Sequence, residues 1–269
     1  MARFSERYGY VMPSKVIIRE EITEEIENAI CSVYDKLKQS DKLVYDKVEE
    51  YLWCEFLNQR LSDFYIRYGH QTVATDYISD IDIEWHNKLG LIEETIVSLR
   101  KMKKTCYDYF VNGMNCQFKR LNFAYRIVDD LIVEITSEEE IASIQQALDV
   151  SQNGVRTHLH TALVHLSTNP VGDYRNSIKE SISAVEAISR EITGEKSINF
   201  KKMEEAGVSV PSALREAFNK LYGYTNDGTT GIRHALMDDT NEPTADEAIF
   251  MLVFCSAFIN YLTKKISNK

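Results

Sequence analysis

Positive charge is what this chain lacks most plainly: 31 Lys and Arg stand against 41 Asp and Glu, a formal net charge of -10. Nonspecific adhesion to a polyanion depends on neutralising phosphates with Lys and Arg, so any nucleic-acid contact must be local, at a concentrated basic site. No apolar stretch follows a basic start, so no secretory signal is expected and the cytoplasm is the expected location. The 5 cysteines form no CxxC pair and keep no ordered spacing with histidine. They are expected to be reduced, buried thiols of a cytosolic protein, with no metal and no cofactor. Long apolar runs are scarce too. The most apolar one, from Ala248 to Ile259, is too short to span a bilayer and reads as a buried helix, so no membrane partner is expected.

What is present is helical periodicity. From Glu20 to Lys38 the residues Ile22, Ile26, Ala29, Ile30, Val33, Tyr34 and Leu37 share one face. A second helix is expected from Lys42 to Phe64, too aromatic for a solvent-exposed element, and a third from Trp85 to Tyr109. One stretch breaks the pattern. Asn122 to Thr136 flanks Asp129-Asp130 with Val, Ile, Tyr and Phe, which predicts a β-hairpin with a two-residue turn, serving as a structural lid or partner surface. Ser137 followed by Glu140 then opens the next helix with a capping box.

A chain of 269 residues is ordinary for two domains. Thr168 to Asp173, with Pro170 and Gly172, is the break expected between them, giving domains 1-168 and 169-269. Tyr174, Ile178, Ile182, Val185, Ile188 and Ile192 then form a helical stripe. A short helix from Phe200 should end at Gly207, another should begin at Pro211, and a last apolar helix is expected from Ala245 to Ile266.

Four groups of residues carry candidate chemistry. Arg100-Lys101-Met102-Lys103-Lys104, and Lys119-Arg120 with Arg126, are the concentrated basic sites, although helix ends favour cations for electrostatic reasons alone. His158, His160 and His165 lack the i, i+4 spacing of metal ligands on a helix and read as partly buried histidines of a linking helix. Arg156 and His160 share a face that could meet a ligand. Thr229-Thr230-Gly231-Ile232-Arg233-His234 sets an adjacent Arg and His after a glycine-rich turn. An imidazole able to move protons beside a permanent cation is the equipment of a metal-independent ribonuclease.

The segments 173–187, GIRHAL at 231–236 and 254–262 together resemble the C-terminal HEPN domain of AbiJ-type abortive-infection proteins. The start, Ala2 to Tyr10, and the approach to the hairpin, Phe118 to Ile127, resemble an AbiJ N-terminal domain. The resemblance spans nearly the whole chain. It implies a mainly α protein: a helical N-terminal domain with one short hairpin, then a HEPN-like helical bundle. It also implies a homodimer through the C-terminal domain, RNA as substrate, and phage defence by growth arrest with a phage-derived trigger.

Carried onto this chain, the resemblance makes Arg233 and His234 catalytic, with Arg175 and Asn176 as RNA phosphate contacts and Asp238 and Asp239 in support. The chain departs from the family spacing, in which Arg precedes His by four to six residues: Gly228, Thr229 and Thr230 occupy those positions before His234. Counted forward from Arg233, the His position falls on Asp238 or Asp239, and Arg175-Asn176 is followed by Glu180. Two readings stay open: an endoribonuclease toxin whose site is completed across a dimer, and a catalytically silent protein that binds nucleotide or RNA or senses phage.

Overall fold

The computed structural model describes residues 17–67, 72–135, 137–168, 172–226 and 242–267. They form twelve α-helices, one π turn and one antiparallel hairpin, a mainly α fold. The chain divides into two compact units, Met1–Glu134 and Ile135–Lys269.

In the first unit α1 (Glu24–Ser40) starts where the Thr23 hydroxyl accepts from the Ile26 N–H, and buries the stripe Ile26, Ile30, Val33, Tyr34 and Leu37. The Asp41 carboxylate accepts from the Val44 N–H and opens α2 (Lys42–Tyr51). A single helix to Phe64 does not form. A π turn, Leu52–Phe56, follows, Asn58 takes a positive φ of 52°, and the chain resumes as α3 (Leu61–Arg67). The aromatic residues cause the break: the Trp53 indole donates to the Arg60 carbonyl at 2.9 Å, and Phe64 is buried against the Trp53 ring at 6.3 Å. Asn tolerates the left-handed conformation that this reversal needs.

After α4 (Val73–Ser79), the expected helix from Trp85 is also two. α5 (Trp85–Met102) ends at an extended Lys103, and α6 (Lys104–Arg120) begins directly after it. The Lys103 ammonium meets Asp41 at 2.7 Å, tying the break to the start of α2. α1 and α6 approach closely at Gly113, where an added Cβ would stand 3.3 Å from Val33. Tyr34 spans the core between them, its ring edge-on to Phe110 at 5.0 Å and its hydroxyl 2.7 Å from Thr95.

The hairpin forms where expected, β1 (Arg126–Val128) pairing with β2 (Leu131–Val133) in the register Ile127↔Ile132. Its turn has positive φ at both Asp129 and Asp130, the geometry that matches strand twist. Arg100 holds both carboxylates, and the Tyr107 hydroxyl donates to Asp130 at 2.5 Å. Side chains cover both outer edges. The Asn115 amide exchanges two hydrogen bonds with the backbone of Ile127, at 2.8 and 2.9 Å, and Glu93 accepts from the Ile132 N–H at 2.6 Å. Edges covered in this way leave no template for another strand at those positions.

The second unit begins with α7 (Glu138–Val150), where the Ser137 hydroxyl accepts from the Glu140 N–H as half of the expected capping box. α8 (Asn153–Ser167) and α9 (Tyr174–Thr193) pack along their lengths as an antiparallel pair. The contacts thus divide the chain at 134/135, whereas the sequence places the break at 168/169. Gly172 marks a helix reversal there, and the helices on either side share one core. Gly172 is required at that reversal, since a Cβ would stand 2.7 Å from the Leu166 carbonyl oxygen. α10 (Phe200–Glu205) closes at Gly207, whose φ is 81°. α11 (Ser212–Asn226) and α12 (Ala245–Ser267) complete the described elements. α12 packs on α9 and α7, and the Asn260 amide donates to the Ser143 carbonyl at 2.8 Å. Buried thiols are fewer than expected: Cys106 and Cys255 are buried, Cys31 and Cys54 half-buried, Cys116 exposed.

Candidate functional site

The α8–α9 pair carries the densest described polar chemistry of the second unit. Two helices that run back from one turn place residues equidistant from it face to face, and three contacts follow that rule. His158 Nδ1 lies 2.7 Å from Glu180 Oε2. The Ser177 hydroxyl donates to the Ala162 carbonyl at 2.8 Å. His165 Nδ1 lies 3.6 Å from Asp173 Oδ2. His158 and His165 are seven residues apart, two helical turns, so both imidazoles stand on one face, each beside a carboxylate of α9.

Asp173 also caps α9. Its carboxylate accepts from the Asn176 N–H at 3.1 Å and from the Asn176 side-chain amide at 2.7 Å. Burial pushes this carboxyl up, but the two Asn176 donors and the nearby His165 and Arg175 charges outweigh burial and leave it below its ordinary value. Of the two residues expected to contact phosphate, Asn176 gives its backbone N–H and one side-chain N–H to Asp173. Arg175 is half-buried in the first turn of α9, with Asp173 close enough to feel its charge. A carboxylate already occupies the positive end of this helix, and an incoming phosphate must share that field.

Arg233, His234, Asp238 and Asp239 lie outside the described residues. Their segment joins α11 to α12, two helices whose middle stretches share one aromatic cluster. Phe218 of α11 stacks on Phe258 of α12 at 4.7 Å, and the Tyr222 hydroxyl fastens α11 to α9 by donating to Glu186 at 2.8 Å.

The other candidates are largely engaged in the fold. Arg100 serves the hairpin turn and Lys103 serves Asp41. Arg126 is buried, donating to the carbonyls of Phe123 and Tyr125 at 2.7 and 2.8 Å. Arg156 donates to the Leu148 carbonyl at 2.9 Å, which ties α8 to the end of α7. Among the described residues no group of three His, Cys, Asp or Glu side chains could hold a metal ion. Sequence reasoning missed the His158–Glu180 and Tyr222–Glu186 pairs. The first was open to discovery from the turn alone, because both residues are equally far from it; the second joins helices with no such symmetry.

The described fold is that of a mainly α protein of two units with a single hairpin insert, and its first unit and α7 coincide with one known family. The family model described as AbiJ N-terminal domain 4 matches residues 2–150, more than half of the chain, and the chain belongs to that family of abortive-infection-related proteins. The match ends at Val150, the last residue of α7. No curated protein and no solved structure matches the chain.

Proposed function

We propose that this protein is an antiviral endoribonuclease toxin of abortive infection, cleaving RNA without a metal in a HEPN-like C-terminal region. The observation that carries the reading is Arg233-His234, an adjacent cation and imidazole in the segment between α11 and α12, in a chain of an abortive-infection-related family. His234 takes the proton of a ribose 2'-hydroxyl, the freed oxygen attacks the adjacent phosphorus, and the bond to the 5'-oxygen breaks, that oxygen taking a proton from water to leave as a 5'-hydroxyl. Arg233 steadies the charge that builds on the phosphoryl oxygens. Arg175 steers the phosphate, and Asp238 and Asp239 orient Arg233. The protein acts in the cytoplasm, and a phage-derived trigger engages the N-terminal unit.

Two observations favour a second reading. Gly228, Thr229 and Thr230 stand where the family spacing wants arginine, and the net charge of -10 repels RNA. A catalytically silent protein that binds nucleotide or RNA, or senses phage, fits those facts. Phage challenge of cells carrying the intact protein or His234→Ala separates the two. The ribonuclease reading expects protection and growth arrest to vanish in the variant while its melting temperature stays within a few degrees. Protection unchanged by His234→Ala would put the binding protein ahead.

A further inference from the structure

The first unit carries opposite charge at its two ends. α1 and α5 run parallel, as three successive contacts show: Glu27 meets Lys88 at 3.8 Å, Tyr34 meets Thr95 at 2.7 Å, and Asp41, just past α1, meets Lys103, just past α5, at 2.7 Å. Both helices therefore start at one end of the unit and finish at the other, and the 18 residues of α5 set those ends about 27 Å apart. At the starts, residues 20–27 carry five Glu and the loop 80–84 carries Asp80, Asp82 and Glu84, with no Lys or Arg in either stretch. Arg19 and Lys88, the cations beside them, are already paired with Glu134 and Glu27. At the finishing end the sign reverses. Residues 36–47 and 100–104 carry eight Lys and Arg against two Asp. Lys42, Arg100 and Lys103 pair with carboxylates of the unit, and Lys36, Lys47, Lys101 and Lys104 are exposed. Even with Asp35, Asp108 and the two aspartates of the hairpin turn set against it, this end stays positive in a chain of net charge -10.

Each charged end surrounds exposed apolar side chains. Ile81, in the acidic loop, is 93 % exposed. The loop holds it outward: the Asp80 carboxylate accepts from the Asp82 N–H at 2.9 Å and the Asp80 carbonyl from the Ile83 N–H at 3.3 Å. At the basic end Leu43 is 77 % and Met102 38 % exposed, each within two residues of the Asp41–Lys103 pair. Apolar residues exposed singly are ordinary. Here each group sits within charge of one sign, and the two signs are opposite. An apolar centre within a polar rim is the anatomy of a protein interface, and complementary rim charges set its register.

We propose that the first units of successive copies join head to tail, Ile81 of one seated against the partner subunit's Leu43 and the partner's Met102, with the acidic rim on the basic one. Such a contact is heterologous and leaves an unused end of each kind for a further copy. A second copy is the occupant because this chain carries both halves of the contact; RNA would account for the basic end alone and leave Ile81 and its carboxylates unexplained. The contact is separate from any two-fold pairing of the C-terminal region. It needs neither Arg233 nor His234, so it stands apart from the ribonuclease reading.

The experiment is light scattering and sedimentation of the full chain over a concentration series, for the wild type, Ile81→Lys and Leu43→Glu. Both positions are exposed, and a glutamate in the first turn of α2 suits the helix dipole, so both variants should keep the wild-type circular dichroism. The wild type should grow in mass with concentration without stopping at two copies, and its association should weaken roughly tenfold between about 50 mM and about 500 mM salt. Each variant alone should lose that growth, because it keeps only one working end. Mixed, the two should join, the basic end of Ile81→Lys fitting the acidic end of Leu43→Glu, and tagged Ile81→Lys should retain Leu43→Glu in preference to untagged Ile81→Lys. A wild type of fixed mass at every concentration, growth that persists in either variant, or a mixture that behaves as its separate components would each overturn the proposal. So would a wild type that does not grow yet binds single-stranded RNA and loses that binding in Leu43→Glu, since the basic end would then serve nucleic acid.

Discussion

Replacing Glu49 by Gln should flatten the pH dependence of the first unit. Glu49, on α2, is fully buried, and its carboxylate accepts from the Ala74 N–H at 3.3 Å at the start of α4. Burial pushes its carboxyl from the ordinary 4.5 up to about 7, against the opposing pull of the Tyr45 hydroxyl, the Ala74 and Val73 N–H groups and the Lys38 charge. The folded state therefore holds a proton that the unfolded chain releases near pH 4.5. Stability from this source is complete below that pH and is lost as pH rises through about 7, a total of about 3 kcal/mol, most of it between pH 5 and pH 8. The 2 tryptophans, Trp53 and Trp85, both belong to the first unit, so their fluorescence in urea follows that unit alone. Wild type should lose about 2 to 3 kcal/mol more than Glu49→Gln between pH 5 and pH 8. Parallel curves for the two proteins would refute the argument that burial holds Glu49 protonated.

Two further perturbations probe other parts of the fold. Asn115→Ala strips both hydrogen bonds from the outer edge of β1 and should cost about 2 kcal/mol in tryptophan-monitored urea unfolding; a loss below about 0.5 kcal/mol would mean that water replaces the amide without penalty. Asp173→Ala removes the cap of α9 and the neighbour of His165 and should cost about 1 kcal/mol by thermal circular dichroism, while Asp173→Asn retains most of the cap. Equal losses in the alanine and asparagine variants would place the effect in the charge instead.

The parts of this fold that depend on neighbours in sequence were legible, and those that depend on distant partners were not. Alternation around Asp129-Asp130 was enough to place the hairpin and its turn, because strand period and turn geometry are both local. The same local logic extended one helix from Lys42 to Phe64 and another from Trp85 to Tyr109. In the structure the Trp53 indole reaches the Arg60 carbonyl, and Lys103 reaches Asp41 across 62 residues, and each contact stabilises a break that helical periodicity does not register. The covering of the hairpin was hidden for a like reason, since Glu93 acts from 39 residues away. At the candidate site Asn176 stands beside Arg175, where phosphate contact is expected, and three residues from Asp173, where it also serves the cap.

The central claim is that Arg233 and His234 cleave RNA without a metal. Its most direct test is incubation of the purified full chain with a single-stranded RNA in excess EDTA, beside His234→Ala, followed by analysis of the new ends. The account predicts cleavage that survives EDTA, leaves 2',3'-cyclic phosphate and 5'-hydroxyl ends, and is absent from the variant. Cleavage that strictly requires Mg²⁺, or that proceeds equally with His234→Ala, would contradict it.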